Sequence, residues 1–399
     1  MGPTWRGGHR PRSSDAQPLF GACVARPVQG KEKRENPEAR AALDKEWGRL
    51  RAAGCWDESR VREWRDVAAE AQRNGVVVHA GRIFDIVVEK NAELPKGHPG
   101  RKFKGRVVFG GNQVYDQNWE VAMFQELSSC PATLEAAKVA DVYGLCPDHG
   151  LQQADAEQAY TQSKLGGVPT WVRLPREQWP PSWEKMRDPV CPLVLALYGH
   201  PDAGGFWERH CEQHLRAQGF MPIPEWISCF WHAALRLLLV VYVDDFKLAG
   251  PQSNLAKGWG LIQSGLRIGA PEPAGLYLGC KHVVSTVPGV NGSPVNRLEY
   301  DMEDFLVGCV SRYRELSGEK ELRNVATPFL DESREPVKIH QQGKDRKIVE
   351  EPPIIEGRFK SIAPKVLMKV LYAARVARFD LLRRCQSSRL LCHLGCTMR

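Results

Sequence analysis

The sequence predicts a mixed α+β fold entered through an N-terminal helical hairpin. Three observations carry this expectation. Residues 37–74 hold two stretches with apolar residues at helical spacing. Beyond residue 76 the texture changes to short β-branched segments broken by Gly, Asn and Pro. Helical stretches then return between the strands instead of in a separate block, as expected of helices backing a sheet.

Asn36 is placed to cap the first helix, with Pro37 at its first position, Leu43, Trp47 and Leu50 in line, and Gly54 after its end. Val61, Trp64, Val67, Ala68 and Ala71 mark a second helix ending at Gly75. Strands are expected at Val76–His79, Ile83–Val88 and Arg106–Phe109. A helix over Leu134–Tyr143, a strand at Leu151–Ala154 and a helix over Trp207–Gln218 follow. The strongest strand signal is Leu235–Val243, and Leu255, Trp259, Ile262 and Leu266 mark the helix after it. A linker is expected at Thr327–Pro353 and a basic helix over Ala363–Leu382.

With 399 residues, 43% of them hydrophobic, the chain has the material for two to three packed domains. Its longest apolar run, Leu237 to Val243, falls far short of the roughly 20 residues of a bilayer-spanning helix. Residues 1–34 lack the apolar core of a signal peptide. These features predict a soluble, intracellular protein, cytoplasmic or nuclear, without a membrane partner. The twelve cysteines are scattered singly and read as reduced thiols of the core. Residues 360–399 carry nine Lys or Arg against one Asp, which accounts for the entire net charge of +8. Such local charge suits an anionic partner.

The run Leu237–Val243 ends in Asp244-Asp245 and resumes as Phe246-Lys247-Leu248-Ala249-Gly250. This pattern predicts a β-hairpin with two acids at its turn. Adjacent carboxylates repel one another and are best satisfied by an oxygen-preferring divalent cation such as Mg2+. Asp155, at the end of the strand before it, is the candidate third acid. The plain alternative is that Asp-Asp only makes a turn.

Tyr242-Val243-Asp244-Asp245 between apolar strands resembles the polymerase signature of reverse transcriptases, in particular those of copia-type retrotransposons. Gln153-Ala154-Asp155-Ala156-Glu157-Gln158-Ala159-Tyr160 is similar to that family's first catalytic motif. Leu197-Tyr198-Gly199 followed by Trp207, Tyr277-Leu278-Gly279, Lys104-Gly105-Arg106-Val107-Val108 and Leu371-Tyr372-Ala373 resemble further blocks of the family, in the family's order. The matching elements span about residues 78–290. The resemblance implies a right-hand polymerase fold, with fingers and an antiparallel palm sheet backed by helices. It implies an RNA-directed DNA polymerase joining dNTPs to a primer on an RNA template.

In that reading Asp155, Asp244 and Asp245 hold two Mg2+ ions, with Mn2+ as a substitute. Lys104 and Arg106 neutralise the triphosphate, and Tyr160 excludes a ribose 2′-hydroxyl. Tyr242 and Val243 lie at the nucleotide and primer end. Gly279, with Lys369, Arg375 and Arg378 of the basic helix, contacts primer and template. One departure stands out, because Asp202 occupies a position where family members commonly carry Gln. The expected organisation is a flexible basic tail over 1–35, the helical hairpin over 36–77 and fingers and palm over 78–290. A thumb-like or linker region over 291–360 and a truncated basic segment over 361–399 complete it. Because no ribonuclease H fits after residue 289, the chain reads as a segment of a larger polyprotein.

Two rivals stand beside this reading. One is a catalytically silent remnant that still binds nucleic acid. The other is a metal-dependent hydrolase using His210 and His214, spaced i, i+4 like a zinc pair. Cys392, His393 and Cys396 form a further possible metal group. No phosphate-cradling glycine motif precedes a helix, which argues against the common nucleotide folds built on one.

Overall fold

The computed structural model describes residues 25–90, 92, 97–124, 130–318, 322, 363–382 and 385. The chain begins with β1 (Ala25–Val28), α1 (Gly30–Glu35), α2 (Pro37–Ala52), β2 (Arg62–Glu63) and α3 (Trp64–Asn74). Strands β3 (His79–Lys90), β4 (Lys102–Phe109) and β5 (Tyr115–Asp116) precede α4 (Leu134–Gly144) and β6 (His149–Asp155). Next come β7 (Thr170–Arg173), β8 (Pro189–Pro192), α5 (Ala203–Ala217), β9 (Phe220–Pro222) and β10 (Cys229–His232). The hairpin strands β11 (Leu237–Tyr242) and β12 (Asp245–Pro251) lead into α6 (Gln252–Gln263). The described chain closes with β13 (Glu272–Pro273), β14 (Leu276–Tyr277), β15 (Cys280–Pro288), β16 (Pro294–Asp301), α7 (Glu303–Ser317) and α8 (Ala363–Val376).

These elements form a mixed α+β architecture with three sheets. The central sheet runs β13-β6-β12-β11-β10-β9, all antiparallel. One face packs on α5 and α6, where Trp207, Cys211, Leu215, Leu255, Trp259 and Ile262 meet Leu237, Leu239, Val241, Phe246 and Leu248. The other face packs on α4, where Ala136 and Ala140 meet Leu238, Val240 and Ala249. Burial on both faces explains why β11 is a continuous apolar run without alternation.

The first sheet runs β1-β3-β7-β8-β2, with β4 and β5 also on β3. Strand β3 is long enough to pair with β4 and β1 along its second half and with β5 and β7 along its first. Its pairing with β7 is parallel. The third sheet, β14-β15-β16, packs with α7 and α8 through Cys280, Met302, Ala373 and Val376.

Four expectations change. The predicted helical hairpin is not one: α2 buries Leu43, Trp47 and Leu50 with Ile83, Val87 and Val107, whereas α3 buries Trp64, Val67 and Ala71 with Val78 and Val190. Each helix finds its apolar partner on the first sheet instead of on the other helix. Both β1 and α1 precede the expected start at Asn36, so residues 25–35 are not a flexible tail; residues 1–24 lie outside the described residues. A boundary at 78 divides strands β1 and β2 from the sheet they complete, and one at 290 cuts the β15–β16 hairpin. Three short strands at 76–109 prove to be two long ones, β3 and β4.

The linker over 327–353 and the cluster of Cys392, His393 and Cys396 lie outside the described residues. Of the described cysteines, Cys130 is exposed and Cys146 half-buried, while the other seven are buried and all are free thiols. Among the described residues no helix is long and apolar enough to cross a membrane.

Candidate functional site

Register brings the acids together. Strands β6 and β12 pair so that Asp155 lies directly opposite Asp245, at the same end of the sheet where β11 turns into β12. Side chains of directly paired residues sit on one face, so the two carboxyls are neighbours. Their closeness, together with the charge of Asp244, opposes ionisation of Asp245. Tyr242 pairs with Asp245 across the hairpin. The turn itself is Val243-Asp244, so Asp245 is the first residue of β12 and not, as expected, part of the turn.

Val243 is held at φ +60°, a left-handed conformation that a β-branched residue adopts at a cost of about 1–2 kcal/mol. Two hydrogen bonds hold the turn there. Trp207 Nε1 on α5 donates to the Val243 carbonyl at 2.7 Å, and the Ala156 amide donates to the Asp244 carbonyl at 2.7 Å. The first comes from a helix under the sheet and the second from the residue that follows Asp155. Asp244 is therefore fixed relative to Asp155 through backbone as well as through the sheet.

Asp155 and Asp244 are exposed and Asp245 is half-buried. Crowding by protein around the turn, followed by the charge of Asp155, pushes Asp244 above the usual carboxylate range. Because water still reaches Asp244, the repulsion is the part of that shift a ligand would relieve. Asp245 is pushed up to about 7 by burial, then by the charges of Asp244 and Asp155. None of the three acids forms an ion pair within 4.0 Å among the described residues.

The basic strand faces this cluster. Lys104 and Arg106 alternate on β4, and both charges act on Asp244. Lys104 reaches solvent, yet the protein around it, then Arg106 and Lys90, lower its pKa, while Asp244 opposes the shift. The Arg106 guanidinium lies 5.3 Å from the centre of the Tyr198 ring, and Tyr198 packs against Tyr160 at 4.7 Å. Burial, then Tyr198 and Asp244, raise the Tyr160 hydroxyl. Tyr160 therefore packs on the central core and feels the charge of Asp244. Gly199, at φ +89°, explains the position of Tyr198: a Cβ there would sit 2.2 Å from the Phe109 carbonyl, so only glycine lets this loop cross the end of β4.

The remaining site candidates separate. Gly279 follows Leu278 in a tight turn between β14 and β15, with both residues at positive φ, and the Tyr372 hydroxyl on α8 donates to the Leu278 carbonyl at 2.5 Å. Burial, then Cys280, Tyr242 and Asp245, raise the Tyr372 hydroxyl, and Tyr277, just before this turn, lies 3.9 Å from Lys247 Nζ on the strand that carries Asp245. The basic helix does not present one face. Arg375 is exposed, Arg378 is paired with Asp380 at 2.8 Å, and Lys369 is half-buried, with its charge acting on Cys309 of α7. Asp202 stands at the start of α5, where a carboxylate is favoured by the helix dipole, and its charge acts on His79.

His214 Nε2 donates to the carbonyls of Leu261 and Ile262 at 3.1 and 3.0 Å, which leaves Nδ1 as the nitrogen with a lone pair. Glu212 is paired with Arg216 at 2.7 Å.

Among the described residues no three His, Cys, Asp or Glu side chains already converge as a metal cage. The donor chemistry nevertheless fits Mg2+, which prefers carboxylate oxygen and is commonly held by one or two carboxylates completed by water and substrate phosphate. Asp155, Asp244 and Asp245 are the residues that would hold it. Sequence reasoning missed Tyr198 and the role of Trp207, although the block Leu197-Tyr198-Gly199 had marked the first. No protein-family model and no curated protein matches the chain.

Proposed function

We propose that the chain is an RNA-directed DNA polymerase of the copia type, with the central sheet as palm and the first sheet as fingers. The observation that carries this reading is the direct pairing of Asp155 with Asp245 beside the turn bearing Asp244. Two exposed acids, Asp155 and Asp244, and the half-buried Asp245 have no ion-pair partner among the described residues, and the charges of Arg106 and Lys104 act on Asp244. A fold that accepts such repulsion gains from it only when a cation or a reacting group uses the carboxylates.

Two Mg2+ ions, when bound, would supply a lowered hydroxyl pKa at the primer end and charge stabilisation at the leaving pyrophosphate. The residues of the chain do the rest. Asp155, at the end of β6, and Asp244, in the hairpin turn, would hold the ions, with their relative position fixed by the Ala156 to Asp244 hydrogen bond. Asp245, raised by burial and by the charges of Asp244 and Asp155, would be favoured in its ionised form by cations bound there. Lys104 neutralises phosphate as a mobile point charge, whereas Arg106, stacked on Tyr198, offers a planar fork with fixed direction. Tyr160 forms the floor beside them.

The test is extension of a DNA primer on an RNA template with dNTPs and Mg2+ or Mn2+. Extension by the wild type that is lost in Asp155→Asn and Asp244→Asn supports the reading. Undiminished extension in either variant removes the two-metal assignment. Absence of extension with salt-sensitive template–primer binding intact assigns the fold to binding alone.

A further inference from the structure

Two residues beyond Asp245, on the same face of β12, Lys247 is completely buried. Its Nζ donates to Asp141 Oδ1 of α4 at 2.6 Å and lies 3.4 Å from His282 Nε2 of β15. The other Asp141 oxygen accepts from the Tyr300 hydroxyl of β16 at 2.8 Å and lies 3.4 Å from His282 Nε2. His282 Nδ1 donates to the Cys280 carbonyl at 3.1 Å, beside the Leu278–Gly279 turn. The Lys247 ammonium also sits 3.9 Å from the centre of the Tyr277 ring, which immediately precedes that turn.

One buried network thus joins α4 and β12 of the central sheet to β14, β15 and β16 of the third sheet. Apolar side chains of similar volume would fill such a space at equal or lower cost, so stability alone does not account for it. A hydrogen-bonded network differs from an apolar filling in admitting one relative position of its elements. Here the elements that it fixes are the strand carrying Asp245 and the turn carrying Gly279.

We infer that Asp141, Lys247 and His282 form a positioning latch that sets the Leu278–Gly279 turn against the acidic end of the hairpin. Its use rests on the polymerase reading: the turn would hold the primer strand, and the latch would determine where the primer 3′-hydroxyl lies relative to Asp155 and Asp245. Lys247 touches no reacting atom in this scheme and acts through the turn.

The test is the double variant Asp141→Leu/Lys247→Met, which removes both charges together. Hydrogen exchange over residues 276–282 should accelerate about tenfold, while β11, β12 and the melting temperature stay close to the wild type. On a preannealed template–primer, kcat for single-nucleotide addition should fall about tenfold with KM for the dNTP unchanged, since the primer end and not nucleotide binding is displaced. Unchanged exchange at 276–282 overturns the latch. An increase spread equally over β11 and β12 also overturns it, because that is the signature of core packing.

If the double variant does not fold, Tyr300→Phe and His282→Gln each remove one contact of the network. Each should raise exchange at 276–282 about threefold, and no rise in either overturns the proposal. If the wild type makes no DNA, the polymerase reading fails while the exchange comparison still decides the latch.

Discussion

Strand β12 treats two charged positions on one face in opposite ways. Lys247 is sealed from water and matched by Asp141, His282 and the Tyr277 ring. Asp245, two residues earlier, faces Asp155 and lies beside Asp244 without an ion-pair partner. Near the middle of the strand, α4 and the third sheet cover the face and every charge must find a protein partner. At its end the cover stops, and the fold gathers like charges where a ligand can reach them. Compensation marks the structural cluster, and its absence marks the candidate site.

The largest effect should come from breaking the compensated cluster one partner at a time. Asp141→Ala leaves an unpaired buried ammonium and should destabilise the chain by about 3–5 kcal/mol, read by urea denaturation. The corresponding change at the open end should have the opposite sign. Asp245 is raised from 3.8 to about 7, so between those values the folded chain keeps a proton that the unfolded chain has released. Stability therefore falls as pH rises through that window, and the loss is complete above about 7. Asp245→Asn should melt higher than the wild type at pH 8, and the difference should vanish near pH 4; equal melting profiles would show that the acids do not strain the fold.

Smaller effects sharpen the same contrast at the turn. Trp207→Phe keeps most of the packing on α5 but removes the donor to the Val243 carbonyl, at about 1 kcal/mol. It should also slow synthesis, measured as single-nucleotide addition, because Asp244 loses its fixed position. Val243→Gly relieves the left-handed strain and should leave stability unchanged or raise it by at most about 1 kcal/mol, since glycine loses more chain entropy on folding. A marked destabilisation would show that the Val243 side chain has a packing role beyond the turn.

Much of the central sheet was legible because its signals are local. The run Leu237–Val243 is apolar on both faces, helices α4, α5 and α6 keep the 3.6-residue period, and Asp244-Asp245 interrupts the run abruptly. What escaped depends on distant parts of the chain. Strand β3 looked broken at Gly81, yet Gly81 lies within the strand because a Cβ there would meet the Phe109 ring at 2.4 Å. Helices α2 and α3 carry correct apolar stripes, but a stripe does not say which surface receives it.

Lys247 is the residue whose role was least legible. The sequence places it only as one member of the run Phe246–Gly250, and nothing local reveals that α4 covers its face. Its partner Asp141 is 106 residues away. The stack of Arg106, Tyr198 and Tyr160 is nonlocal in the same way, assembled where the loop at Gly199 crosses β4.

The central claim is that the open acidic end is a divalent-cation site, and Mn2+ binding followed by electron paramagnetic resonance tests it most directly. In the presence of template–primer and dNTP, the wild type should take up Mn2+ saturably, and Asp155→Asn/Asp244→Asn should not. Equal uptake by both proteins, or none by the wild type, would contradict the account.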